Sequence, residues 1–464
     1  MFQSNTYLQR RQQLIADVEN GIILLMGNDE SPMNYTDNTY HYRQDSNFLY
    51  FVGIDQAHLN AIIDTRTGET TLFGDDISVE YIVWMGPQPS MRALADRSAI
   101  EKIAPYHEVV DVLAKAQKEG TPIHILPPYR AANKIKLSQW LQTPIQDLQK
   151  WVSEKLIKAV IKQASIKSAE EIAEMEKAVN VSREMHIAAM RQAKVGMKEA
   201  ELAGLVEGIA VSGGGHLAYS VILTVNGQTL HNHYHGNTLN SGRLVLGDFG
   251  AETAMHYAGD ITRTFPVDKT FTSKQKDIYQ IVLDAEEGVI QNLRPGITYL
   301  DMHLQAAATI TDGLKALGIM KGSTDDAVQA GAHAMFFPHG LGHMIGLGVH
   351  DMEDLGEDYV GYGPNYQRST QFGLKSLRLA KTLEAGFVIT VEPGIYFIPE
   401  LIAKWKAKHQ FTDFINYDKL ESYLDFGGIR IEDDVLITDR GSRVLGERIP
   451  KTIKEVEAAR SGDL

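Results

Sequence analysis

The chain has 464 residues, 44% hydrophobic and 22% charged, an ordinary balance for a globular protein and long enough for two or three domains of roughly 150 residues each. Forty-five Lys and Arg against 59 Asp and Glu give a formal net charge of −14, so no basic surplus is left to neutralise nucleic-acid phosphates or an anionic membrane. With no cysteine, disulfides and thiolate catalysis are excluded, and any metal must be held by oxygen and nitrogen.

The first residues have no apolar core of signal-peptide length, and no later run approaches the ~18 apolar residues of a membrane span. A cytoplasmic location is the expectation. Residues 21–27, Gly-Ile-Ile-Leu-Leu-Met-Gly, form a short apolar run between glycines and predict a buried strand. Residues 48–52, 59–63 and 70–73 continue as predicted strands, with a Thr67-Gly68 turn between the last two, and 123–126 closes the series before Pro127-Pro128. With helical patterns between them, residues 1–155 read as a smaller α/β domain. Residues 151–167 read as a helix and connection, after which Ser168-Ala-Glu-Glu171 opens a long amphipathic helix with a capping box. A further helix is expected after Gly196, strands over 219–225, 243–250 and 259–267, and helices over 273–293 and 299–317. The second domain is therefore placed at 156–464.

Within it, Leu-Val-Leu-Gly-Asp248-Phe-Gly and Val-Ile-Thr-Val-Glu392-Pro-Gly both put an acid at the end of an apolar strand, two residues before glycine, which suggests an internal duplication. Asp248 and Asp260 are spaced for a hairpin centred near Ala254. That would set them opposite each other with Cβ atoms ~5 Å apart, where they repel unless a cation or proton intervenes. Taken singly, each reads as an ordinary turn or surface acid. His339-Gly-Leu-Gly-His343 has two imidazoles four residues apart, but its glycines argue for a loop or the start of a strand rather than a zinc-binding helix. His350 follows closely. Glu392 and Glu432 sit in apolar, β-branched surroundings where a carboxylate is costly unless paired or metal-bound; Arg430 shares strand parity with Glu432, so a plain salt bridge is the alternative there. Together Asp248, Asp260, His343, Glu392 and Glu432 suit a pair of hard or borderline divalent cations and a two-metal hydrolase.

The motifs Leu230-His231, Gly247-Asp248-Phe-Gly, Ala258-Gly-Asp260-Ile-Thr-Arg-Thr-Phe, Pro338-His339-Gly-Leu-Gly-His343, Val349-His350-Asp351, Thr390-Val-Glu392-Pro-Gly-Ile-Tyr and Gly428-Ile-Arg430-Ile-Glu432-Asp-Asp resemble the pita-bread metallopeptidases, in the aminopeptidase P and prolidase branch. Residues 42–48 resemble a stretch of that family's N-terminal domain. The resemblance implies an α/β (α+β) chain: a smaller α/β domain, then a pita-bread catalytic domain with internal pseudo-symmetry. It implies two divalent metals, usually manganese, with cobalt, zinc and iron left open, held by Asp248, Asp260, His343, Glu392 and Glu432, with Asp260 and Glu432 touching both. His231 and His350 would stabilise the tetrahedral intermediate and shuttle protons, His339 would line a proline pocket, and Arg430 would support Glu432. The implied substrate is a peptide with proline second, cut at the Xaa-Pro bond by a homo-dimer or homo-tetramer.

Two readings of substrate length stand side by side. Residues 42–48 and Trp84 resemble aminopeptidase P, which trims longer peptides. The long loop ending in Leu374-Lys-Ser-Leu-Arg378 resembles prolidase, where an arginine in the place of Arg378 binds a dipeptide's terminal carboxylate, and the dipeptidase is the preferred reading. Organophosphate hydrolysis is expected only as a side reaction, and a metal-free binding module is the alternative from another class. The Asp248 to Asp260 interval is one residue longer than is common in the family, which implies a bulge or a longer turn.

Overall fold

The apolar run Ile22–Met26 (β1) lies inside a five-stranded sheet in the computed structural model, which describes residues 1–463. Its partners are β2 (Asn60–Asp64), β3 (Glu69–Phe73), β4 (Lys102–Ala104) and β5 (Ile123–His124), in the order β4-β3-β2-β1-β5. The β1–β2 and β2–β3 pairs are antiparallel, whereas β1–β5 and β3–β4 are parallel and need longer crossovers. Ile22, Leu24, Ile62 and Phe73 pack with Val109, Leu113 and Leu137 into one core.

Residues 48–52, which their apolar run predicts as a strand, are helical. The first helix, α1 (Ser4–Val18), is followed by a short α2 (Ser46–Val52) whose N-terminus is capped by Asp45 Oδ1, accepting from Phe48 N at 2.9 Å. Five consecutive apolar residues buried on every side satisfy a short core helix as well as a strand, and the Asp cap with Gly53 behind decides for the helix. Gly53 has φ +70, and a Cβ there would lie 2.1 Å from the Tyr7 ring. Arg11 on α1 donates to Phe51 O at 2.9 Å and Ser98 O at 2.7 Å, closing the same region.

The chain divides into two compact units. Unit 1 comprises Met1–Ala164 and a returning segment, Glu353–Tyr359; unit 2 comprises Ser165–Met352 and Val360–Leu464. The helix α3 (Glu154–Ala164), placed by sequence across the 155/156 boundary, belongs to unit 1, where Lys162 pairs with Asp17 of α1 at 2.7 Å.

Unit 2 repeats one pattern twice. Helices α4 (Ala169–Gln192) and α5 (Glu199–Ser212) precede the antiparallel sheet of β6 (Ile222–Thr224), β7 (Leu244–Asp248) and β8 (Thr262–Pro266), with β7 in the middle. Helices α6 (Ser273–Asn292) and α7 (Tyr299–Ala316) precede a second set: β9 (Val388–Val391), β10 (Gly394–Tyr396), β11 (Gly428–Arg430), β12 (Asp433–Ile437) and β13 (Ser442–Val444). These form the sheet β9-β12-β13 and the ladder β10-β11. The capping box at Ser168 is present as expected, Ser168 N donating to Glu171 Oε2 at 2.9 Å. The two sheets meet at one backbone bridge, where Glu432 N donates to Thr262 O at 3.1 Å. Among the described residues no helix is long and apolar enough to cross a membrane.

The Gly53→Ala substitution combines a left-handed backbone with a clash against Tyr7 and should lower stability by about 2 kcal/mol or more. Urea unfolding followed in unit 1 measures it, and a shift below ~0.5 kcal/mol would contradict this account.

Candidate active site

The strand ends of both halves open onto one cavity of about 700 Å³. Its wall brings together His231, Asp248, Asp260, His339, His343, His350, Arg378, Glu392, Arg430 and Glu432. Trp84 lies in unit 1 on the helix Val79–Met85, where it is 85% exposed.

Asp248 is the last residue of β7, and its ladder partner on β8 is Thr262, not Asp260. The register continues through Phe249 N to Ile261 O and Gly259 N to Ala251 O, so the turn centres on Met255. The extra residue is thus absorbed by a longer turn, in which His256 takes φ +64, and no bulge forms. Asp260 is therefore the diagonal neighbour of Asp248 on the same face rather than directly opposite it. Tyr219 closes the gap, its hydroxyl lying 2.7 Å from Asp248 Oδ1 and 2.5 Å from Asp260 Oδ1, so that the two carboxylates share its single hydrogen. Burial and the neighbouring acids, Asp248 first, hold that hydroxyl protonated by raising its pKa.

The segment from Leu341 to Ile345 is extended and runs beside β9, with Thr390 N donating to His343 O at 3.0 Å and Glu392 N to Leu341 O at 2.8 Å. Glycine is required within it: a Cβ at Gly342 would lie 2.1 Å from Thr390 O. His343 Nδ1 donates to Met344 O at 3.0 Å, which leaves Nε2 as the ring nitrogen turned toward Asp260 Oδ2 at 3.4 Å and Glu392 Oε1 at 3.7 Å. The imidazole of His350 lies against it, ring centroids 4.3 Å apart.

Arg430 does not form the salt bridge with Glu432 that strand parity suggests. Its guanidinium donates to Asp248 Oδ2, to Tyr396 OH at 2.8 Å and to Thr262 Oγ1 at 3.1 Å. Thr262 Oγ1 in turn donates to Glu432 Oε2 at 2.6 Å, so Arg430 reaches Glu432 only through this hydroxyl. Tyr396 donates its hydroxyl hydrogen to His339 Nε2 at 2.9 Å, while His339 Nδ1 donates to Gly340 O at 2.8 Å. Both ring nitrogens are therefore used, and burial, followed by the Arg430 charge, pushes the His339 pKa down to about 3. Tyr219, Thr262 and Tyr396 have no predicted role in the sequence. Their signal was parity for Thr262, which shares a strand face with Asp260, and position for Tyr396, four residues after Glu392. Asp434 adds a further buried acceptor, Oδ2 taking Asp260 N at 2.9 Å.

The donors Asp260, His343 and Glu432 each offer an atom within 4.8 Å of the others. One imidazole among carboxylates fits a hard or borderline divalent cation, and the electrostatics fit as well. Burial and then Asp260 push the Glu432 carboxyl well above its usual range, and burial raises Glu392 to about 7. These acids can all be charged together only with a cation among them.

Residues 173–439 match metallopeptidase family M24, and residues 7–125 match the aminopeptidase P N-terminal domain. The chain belongs to metallopeptidase family M24. As an M24 enzyme it has a mixed α/β architecture whose second unit is the pita-bread catalytic fold, and family and donor set together imply divalent metals. It is 34% identical to the Xaa-Pro dipeptidase of Homo sapiens, covering 95% of this chain and 89% of that one. It is 32% identical to a probable Xaa-Pro aminopeptidase of Ajellomyces capsulatus, covering 95% and 87%. The structure of aminopeptidase P from E. coli with the inhibitor Pro-Leu superposes with a TM-score of 0.81 at 28% identity, covering 100% of this chain and 99% of that one.

Replacing Arg430 by Lys leaves a point charge that cannot bond Asp248, Tyr396 and Thr262 together; titration calorimetry with Mn2+ should show affinity weakened at least ~10-fold. A second outcome concerns acid. His186, His303, His333 and His339 are held neutral chiefly by burial, with pKa values of about 3, 3, 4 and 3. The unfolded chain takes up these protons near pH 6.5, so stability is whole above that pH and is lost as pH falls toward 4, by up to about 1.4 kcal/mol per unit for each histidine. Urea midpoints of metal-stripped protein should fall accordingly, and less steeply in a His303→Leu variant.

Proposed function

We propose that this chain is an Xaa-Pro dipeptidase that holds two divalent cations, manganese by preference, on Asp248, Asp260, His343, Glu392 and Glu432. The observation that carries the dipeptide restriction is Arg378, which faces the same cavity as the acids and imidazoles. A guanidinium reads a carboxylate through two parallel hydrogen bonds, so an arginine lining the same cavity as the acids can gauge substrate length. The human Xaa-Pro dipeptidase, similar over 95% of this chain, supports the reading.

When bound, the cations supply a water of lowered pKa and polarise the scissile carbonyl. The remaining work belongs to side chains. Arg430 neutralises Asp248 and, through Thr262, orients Glu432. His339, neutral and with both nitrogens bonded inside the protein, has no donor to spare and offers its ring face as a wall for the apolar proline ring. The pKa of His231 is lowered by burial and then by Arg430, so its imidazole is neutral near pH 7 and able to take up and return a proton. His350, beside His343 in the same cavity, is assigned the same work. Self-association into a dimer or tetramer and a cytoplasmic location belong to the same reading.

The whole-chain likeness to aminopeptidase P favours a second reading, an Xaa-Pro aminopeptidase acting on longer peptides. Proline release from Ala-Pro against alanine release from Ala-Pro-Ala, on Mn2+-loaded protein, separates the two. The dipeptidase should refuse the tripeptide, and Arg378→Ala should reduce kcat/KM for Ala-Pro about 100-fold, the equivalent of ~3 kcal/mol. Efficient tripeptide cleavage indifferent to Arg378 would establish the aminopeptidase.

A further inference from the structure

The chain crosses into unit 2 at Ser165 and leaves it for its short excursion after Met352. Beside these two crossings stands a buried ion pair: Lys167 Nζ donates to Asp351 Oδ2 at 2.9 Å, with side chains 1% and 6% exposed. Lys167 is held at its backbone as well, its N donating to Gly386 O at 2.8 Å just ahead of β9. Asp351 uses its other oxygen to accept from Gly348 N at 3.3 Å. Its own N donates to Met344 O at 2.9 Å, and that same carbonyl accepts His343 Nδ1 at 3.0 Å. The ion pair also dictates sequence nearby, because a Cβ at Gly346 would lie 2.5 Å from Asp351 Oδ2 and 2.8 Å from Lys167 Cε.

We propose that Lys167 is a positioning residue for the metallopeptidase reaction: through Asp351 it fixes the turn from Met344 to Asp351, and with it the imidazoles of His343 and His350. Fold stability alone does not account for the pair. Removing an ammonium and a carboxylate from water costs several kcal/mol, and a well-packed apolar pair would serve stability equally well. What an apolar pair lacks is direction. Lys167 holds Asp351 at one oxygen, leaving the other for Gly348 N, so the turn is set from both ends. His343 immediately precedes that turn and His350 lies on it, with rings 4.3 Å apart, and a shift of the turn moves both together. The inference rests on the proposed function for the roles of these two imidazoles.

The test uses full-length protein in four forms: wild type, Lys167→Met, Lys167→Arg, and the double variant Lys167→Met with Asp351→Asn, which removes both charges and keeps an acceptor for Gly348 N. The readouts are Mn2+ affinity by calorimetry, kcat and KM on an Xaa-Pro dipeptide, and thermal midpoint. Lys167→Met should weaken Mn2+ binding and lower kcat by about 10- to 100-fold each, with KM changed less than about 2-fold, and Lys167→Arg should recover most of both. The double variant should regain the thermal midpoint, since no unpaired charge is left buried, yet keep the weak Mn2+ binding and low kcat. If Lys167→Met does not fold, the double variant decides alone. Wild-type kcat and Mn2+ affinity in either the single or the double variant would overturn the proposal and leave the pair a matter of charge balance. Wild-type protein that neither binds Mn2+ nor cleaves the dipeptide would instead overturn the proposed function, and this inference with it.

Discussion

Four carboxylates converging on one buried space constitute the constraint around which unit 2 is organised. Each has lost most of its water, each raises its neighbours' cost of ionising, and only one, Asp248, has a guanidinium against it. The protein meets this repulsion with rigid backbone rather than with more cations of its own. The acids sit at strand ends and just beyond them, where β-ladders fix their Cα positions, and the Thr262–Glu432 bridge welds the two half-sheets at the crowded point. Asp434, itself a buried acid, is used as an acceptor for Asp260 N. The charge left over calls for divalent metal, and the scaffold holds the acids near one another without depending on attraction between them.

A second layer settles protons. Tyr219, Thr262 and Tyr396 are hydroxyls whose hydrogens point at carboxylate or imidazole acceptors, and each fixes the donor sense of its partner. His343 and His339 both spend Nδ1–H on a backbone carbonyl, but with opposite consequences. His343 keeps its second nitrogen turned toward the acids, whereas the second nitrogen of His339 is taken by Tyr396. Two histidines four residues apart are thus set to different tasks by what stands behind them.

How much of this was legible in the sequence depended on whether the signal was local. Asp248 and Glu392 stand out jointly, because each closes an apolar strand two residues before a glycine, and the capping box at Ser168 needs only four residues. Residues 48–52 were misread because a short apolar run has no period to distinguish helix from strand; the deciding cap, Asp45, lies outside the run. The hairpin register was missed by one pair, because spacing locates a turn only to within a residue while pairing depends on whether a position such as His256 accepts a left-handed backbone. The reach of Arg430 was out of range for a different reason. Parity gives the face on which a side chain emerges, not which of three acceptors from distant segments a long guanidinium meets. The placement of α3 in unit 1 likewise rests on pairing with α1, remote in sequence.

The segment Glu353–Tyr359 packs with unit 1 although the chain on both sides of it belongs to unit 2, and it lies between His350 and Arg378. The two units are therefore not beads on a string that could be cut apart or exchanged at a single joint. A recombination event that replaced the N-terminal unit would also have to rewrite a heptapeptide buried deep in the coding sequence of the catalytic one.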